Sequence, residues 1–139
     1  MALTRQQLAE LARHHAAVES AGDIEATLAT LTADPLYLLP AVGKRFSGLA
    51  MARRWYEQMV GTFQPMMVGG EMLAEWEGEE GLVQEYLLAV RHPDVGVREH
   101  HVIAVLTFGD DAISGERIYA DETLLRAMAG PLWDELEPL

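Results

Sequence analysis

Ionisable side chains in this chain fall at positions that are otherwise apolar, and these are the residues that could do chemistry. His15 lies on the stripe Leu8, Leu11, Ala12 and Val18 of a helical pattern, whereas His14 points elsewhere. An imidazole there either satisfies a backbone carbonyl in the core or serves as a donor and proton carrier at a pocket wall. His100 alternates with Val102, Ala104, Leu106 and Phe108, so it points inward from a strand. His101 shares the outer face with Glu99, Ile103, Val105 and Thr107. Adjacent histidines split between two faces cannot chelate one ion, and no metal site is expected. Asp121 follows Gly115-Glu116-Arg117-Ile118-Tyr119-Ala120 and precedes Glu122-Thr123-Leu124-Leu125. It reads either as the N-cap of a terminal helix or as a carboxylate base at a strand end. Arg117 and Tyr119 share its face, while Ile118 and Ala120 share that of Glu116; alternation alone does not say which face is inside.

Glu85 depends on hairpin register. A two-residue loop at Glu79-Glu80 sets it opposite Ala74 on the apolar face, and a one-residue slip sends it outward. Trp55, Tyr56, Trp76 and the methionines Met51, Met59, Met66, Met67 and Met72 read as core or pocket wall. There is no glycine-rich phosphate loop, Gly-x-Ser-x-Gly or His-Glu-x-x-His, and no cofactor is expected.

These residues need elements to position them. Thr4 with Gln7 forms a capping box, and Gly22 ends the first helix. Asp23 caps a second helix over about Ile24 to Leu31, which Asp34-Pro35 breaks. Leu36 to Leu39 is a short strand, and a third helix runs from Leu49 to Phe63. Past Pro65 the period changes to two. Val68, Gly70, Met72, Ala74 and Trp76 make an apolar face opposite an acidic one. Gly78-Glu79-Glu80-Gly81 turns the chain into strands over 82–91, 98–108 and 113–120. A short helix covers Asp121 to Ala129, and the pattern does not place the tail 132–139. Helices followed by a strand meander mean α+β segregation, with a glycine-rich, curved sheet leaving a concave space suited to a small molecule.

Composition narrows the classes. The chain has 139 residues, 22 acidic and 10 basic, for a net charge of −12, and half are apolar. This fits one domain, 1–139, with a full core. With no cysteine there is no disulfide framework or thiolate nucleophile. The acidic balance argues against nucleic acid and anionic membranes as partners. No apolar run approaches the ~20 residues of a membrane helix and the N-terminus lacks a signal pattern, so a cytoplasmic location is expected.

The order of elements resembles the SnoaL-like branch of the nuclear transport factor 2-like superfamily over about residues 5 to 130. Three segments carry the likeness: Ser20-Ala21-Gly22-Asp23-Ile24 between two helices, Lys44-Arg45-Phe46-Ser47-Gly48 before the third, and Gly115 to Asp121 followed by Thr123-Leu124-Leu125. The resemblance implies a strongly bent, mainly antiparallel sheet wrapped around about three helices, with a conical cavity and a homodimer through the outer sheet face. It also implies the positions of family site residues. The ketosteroid isomerase base falls at Leu39, its strand acid at Ala104 and its oxyanion tyrosine at His15, so both carboxyls are absent. The Arg-x-Asp pair of epoxide hydrolases is not supplied by Gln84-Glu85-Tyr86. SnoaL-like polyketide cyclases match in Asp121 as general base, which implies that Tyr119 and Arg117 face the cavity.

Together these give a cofactor-independent isomerase, cyclase or hydrolase acting on a small hydrophobic carbonyl compound. Asp121, His100, Tyr119 and His15 would carry the chemistry. Arg117, Tyr56, Trp76, Trp55, Glu85, Leu39 and Ala104 would contact substrate. The alternatives are a non-catalytic module for a hydrophobic ligand and a protein-interaction domain.

Overall fold

The computed structural model describes residues 2–139. Helix α1 (Arg5–Ser20) starts at the capping box: Thr4 Oγ1 accepts the Gln7 N–H and Gln7 Oε1 accepts the Thr4 N–H. Asp23 caps α2 (Ile24–Ala29) through the Ala26 N–H. Strand β1 (Leu31–Leu39) begins five residues earlier than the sequence pattern predicts and contains Asp34-Pro35. Its pairing with the sheet is irregular between Leu31 and Leu36, which is where a proline lacking its N–H does least harm.

Strand β2 (Lys44–Ser47) leads into α3 (Leu49–Gln58). The helix continues as a wider π turn over Met59–Phe63. Then come β3 (Met67–Glu77), β4 (Gly81–His92), β5 (Gly96–Phe108) and β6 (Ile113–Tyr119), helix α4 (Glu122–Ala129) and β7 (Glu137–Pro138). The tail forms a 3-10 turn that buries Leu132 and Trp133, then pairs β7 with β2.

One sheet holds all seven strands in the order β3-β4-β5-β6-β1-β2-β7, antiparallel except where β1 runs parallel to β6. The sheet curves around the helices, giving the α+β cone expected. Trp55, Phe63, Tyr37, Leu124 and Leu125 fill the space between the layers. Burying each such side chain stabilises the fold by about 1.5–3 kcal/mol. No helix among the described residues is long and apolar enough to cross a membrane.

Two irregularities decide which side chains face inward. The hairpin pairs Ala74 with Glu85, the register a two-residue loop predicts. A bulge at Leu73 then reverses the parity of β3. Met72 therefore lies opposite inward Tyr86, and Glu75 opposite inward Gln84, while Ala74 and Trp76 turn to the outer face. This corrects the expected apolar face, and Arg13 of α1 ion-pairs with Glu75 and Glu77 on the helix-facing side. The second irregularity lies in β6, between its pairings at Ile113 and Gly115. Beyond it Glu116 and Ile118 are buried, whereas Arg117 and Tyr119 are exposed.

Candidate functional site

Between the helices and the concave sheet face lies a cavity of about 540 Å³. Trp55, Met59 and Phe63 reach it from α3 and its π turn. Gln84, Tyr86, Ala104, Leu106 and Ile118 line it from the sheet, and Met128 closes it from α4.

Two carboxyls enter this apolar space. Glu116 comes from β6, opposite Leu106 on β5 and Tyr37 on β1. Glu19 comes from the last turn of α1, four residues after His15 and thus on the same side of the helix. One ligating atom from each of His15, Glu19 and Glu116 lies within 4.8 Å of the other two. His15 Nε2 is 3.4 Å from Glu19 Oε2. Glu116 is 7% exposed, and no hydrogen bond reaches its carboxyl from the described residues. Burial, reinforced by the neighbouring Glu19, holds its pKa well above the usual carboxylate range, which favours the protonated acid. Burial, with Glu116 and Glu19 nearby, likewise raises Tyr86, keeping its phenol protonated.

A hydrogen-bond chain behind the cavity orients His15. The Thr30 hydroxyl donates to Thr27 O at 2.7 Å, so its oxygen accepts from His15 Nδ1 at 2.6 Å. The Nδ1 proton is therefore assigned by the network. Tyr56 Oη is hydrogen-bonded to Nε2 at 3.1 Å and to Tyr37 Oη at 2.5 Å. Burial raises both phenols, which keeps them as donors. His15 Nε2 is thus flanked by the Tyr56 phenol and the Glu19 carboxyl.

The sequence-predicted residues do not converge. His15 is fully buried and oriented behind the cavity, Trp55 and Ala104 line it, and Tyr56 acts through its hydroxyl. Leu39 is buried in the core away from the lining. Asp121 is corrected most: its side chain is 51% exposed and lies outside the cavity. Its Oδ1 accepts the Leu124 N–H at 2.9 Å, the cap role, and its Oδ2 accepts from His100 Nδ1 at 2.6 Å. His100 points inward as expected, but toward His92, with 2.8 Å between their Nε2 atoms, and not into the lining. Tyr119 is 39% exposed on the outer face with Arg117, because the irregularity in β6 gives the inner face to Glu116 and Ile118. Trp76, 52% exposed, is outside because of the β3 bulge. Glu85 is also outside, with His101 Nε2 3.2 Å from its Oε2.

Glu116, Glu19, Tyr37 and Tyr86 were missed, although signals for the first two exist. Glu19 follows His15 at i+4 along an apolar helix face, and Glu116 alternates with Ile118.

No protein-family model matches the chain, and no curated protein matches it in sequence. Solved structures do match in shape. A steroid delta-isomerase from Pseudomonas aeruginosa superposes with TM-score 0.67 at 15% identity, over 88% of this chain and 85% of that one. A nuclear transport factor 2-like protein of unknown function from Cytophaga hutchinsonii gives TM-score 0.67 at 15% identity, over 82% and 99%. An uncharacterized bacterial protein with a cystatin-like fold from Silicibacter pomeroyi gives 0.70 at 13% identity, over 94% and 90%. The chain has the nuclear transport factor 2-like fold. The likeness specifies architecture; the chemistry has to come from the cavity.

Proposed function

We propose that the protein is a proton-transfer enzyme of isomerase type that acts on a small hydrophobic carbonyl compound, with Glu19 and Glu116 as its acid–base pair. The observation that carries this reading is Glu116: a buried carboxyl with no hydrogen-bond partner among the described residues, directed into an apolar cavity beside a second carboxyl. Pairs of titratable groups in such surroundings are poised for acid–base work.

The steps balance within the cavity. The Glu19 carboxylate takes a proton from the carbon beside the substrate carbonyl. The electrons of that C–H bond move onto the carbonyl oxygen, and the Glu116 O–H donates a hydrogen bond to the oxyanion that develops. Glu19 returns its proton to a different carbon of the extended enolate, which completes the isomerisation with no net proton change. The His15 ring, held by Thr30 and Tyr56, stands 3.4 Å from Glu19 Oε2 and limits where that carboxyl can swing. The steroid delta-isomerase likeness supports an isomerase over a hydrolase, because the cavity carries a carboxyl pair suited to moving protons.

Deuterium exchange tests this directly. Small hydrophobic ketones are incubated with the protein in deuterated buffer, and loss of the proton signal beside the carbonyl is followed by NMR. Glu19→Gln is expected to slow exchange by about 10²–10⁴-fold. Glu116→Gln, which keeps a weaker donor, slows it less, and Asp121→Asn leaves it unchanged. Exchange at the same rate with wild type and Glu19→Gln on every ketone overturns the assignment.

A further inference from the structure

The cavity is charged on one side only. Among the described residues Glu19, Glu116 and the exposed Glu71 are its ionisable carboxyls, and no lysine or arginine lines it. Arg5, Arg13, Arg45, Arg53, Arg54 and Arg126 are engaged in ion pairs with Glu79, Glu75 and Glu77, Glu137, Glu25, Glu135 and Glu122. Among the described residues no lysine or arginine forms an ion pair with Glu116, although it is nine-tenths buried. A buried carboxyl in this state either keeps its proton or takes a cation from outside.

Geometry and the walls favour an organic cation. An ammonium making two N–H···O bonds of ~2.8 Å at the tetrahedral angle bridges oxygens ~4.6 Å apart. One ligating atom each of Glu19 and Glu116 lies within 4.8 Å of the other. Trp55, Phe63 and Tyr86 supply aromatic faces, and Met59 and Met128 supply adaptable apolar contacts. His15 could in principle complete a three-ligand metal set with the two carboxyls. However, its Nδ1 proton is committed to Thr30 and its Nε2 is already hydrogen-bonded to Tyr56 Oη. A metal would have to displace that phenol, whereas an ammonium needs only the carboxyls.

We propose that this cavity binds lipophilic amines, with the protonated nitrogen held between Glu19 and Glu116 and the hydrocarbon against Trp55, Phe63 and Met128. The inference deepens the proposed function by naming a ligand class for the same cavity, and it rests on that reading only for the location, because it requires binding and not turnover. An ammonium stabilises the ionised form of Glu116, so the carboxyl releases its proton as the amine binds. Anionic hydrophobic ligands are refused by the same charges. Such amines compete with a carbonyl substrate for the acid–base pair.

Calorimetric titration of the full chain with naphthylmethylamine, naphthylmethanol and naphthoate tests this. The amine is expected to bind at least about tenfold tighter than the alcohol, with no measurable naphthoate binding. Its apparent enthalpy should change between buffers of different ionisation heat, which reads proton release, and its affinity should rise with pH. Glu116→Gln, a neutral isostere, should bring the amine down to the alcohol's affinity. Glu19→Gln should do the same and serves as the second variant, with circular dichroism checking folding in both. Equal affinity for amine and alcohol overturns the inference, as does amine binding unaffected by both substitutions. Tight zinc binding that either substitution abolishes, with no amine binding, also overturns it and gives the carboxyls to a metal. Ketone exchange without amine preference sinks this inference alone; amine preference without exchange sinks the catalytic reading alone.

Discussion

His100 Nδ1 lies 2.6 Å from Asp121 Oδ2, while Oδ1 of the same carboxyl accepts the Leu124 N–H at 2.9 Å. One aspartate thus caps α4 and holds an inward histidine on β5. Burial disfavours the Asp121 carboxylate, but the His100 and Leu124 hydrogen bonds outweigh it and hold the pKa below 3.8. Asp121→Asn keeps the cap and weakens the His100 bond, so a loss of about 1 kcal/mol is expected. Asp121→Ala also removes the cap and should lose about 1 kcal/mol more. Denaturant melts of the two variants check both figures, and equal stability would show that the cap contributes nothing.

Acid should loosen the same corner. With His100 Nδ1 donating to Asp121, one proton serves the 2.8 Å contact between the two Nε2 atoms. Burial, then His100 and Arg98 nearby, lower the His92 pKa below 6.5 against the opposing pull of Asp121 and Asp94. The unfolded chain then takes up a proton at His92 before the folded one does. Stability is full above pH 6.5 and falls as pH drops toward the lowered value, and the Asp121 contribution is lost further down, below 3.8. Melts at about pH 7.5 and about pH 5 should separate, and His92→Gln should narrow the gap.

Glu116 works in the opposite direction. Its folded pKa is raised by burial and then by Glu19, so its contribution is complete below 4.5 and is lost as pH rises through the raised value. Glu116→Gln should remove this loss. The variant is expected to be at least as stable as wild type at about pH 8, and a steeper alkaline decline in the variant would contradict the assignment.

Gly115 sits where β6 runs beside β1. A side-chain Cβ there would stand 1.8 Å from Leu36 O, and its φ of +149° is one that other residues rarely adopt. Backbone cannot yield as a flexible side chain can. Gly115→Ala should destabilise by roughly 3 kcal/mol or more, enough to lower soluble yield and thermal midpoint.

Arg13 ties the edge strand to α1 through Glu75 and Glu77, and Gln84 donates to Glu75 from the next strand at 2.9 Å. These groups are partly exposed, so Arg13→Ala should lower stability by only about 0.5–1 kcal/mol. The effect should be local: amides of β3 should exchange faster with deuterium while those of β5 stay protected.

Much of the architecture was legible in the residues. The Thr4–Gln7 box, the Asp23 and Asp121 caps, the Ala74–Glu85 register and the inward alternation of β5 are set by neighbours within a few positions or by one turn. Such short-range chemistry determined the α+β order and the places where helices begin. The site was decided elsewhere. Strand alternation names two faces without saying which is inside, and a single extra residue exchanges them. The Leu73 bulge sent Trp76 outward, and the irregularity in β6 gave the cavity Glu116 in place of Arg117 and Tyr119. Glu116 and Glu19 stand 97 positions apart in the chain. Their meeting depends on how α1 lies across the curved sheet, a long-range packing outcome that no local spacing encodes.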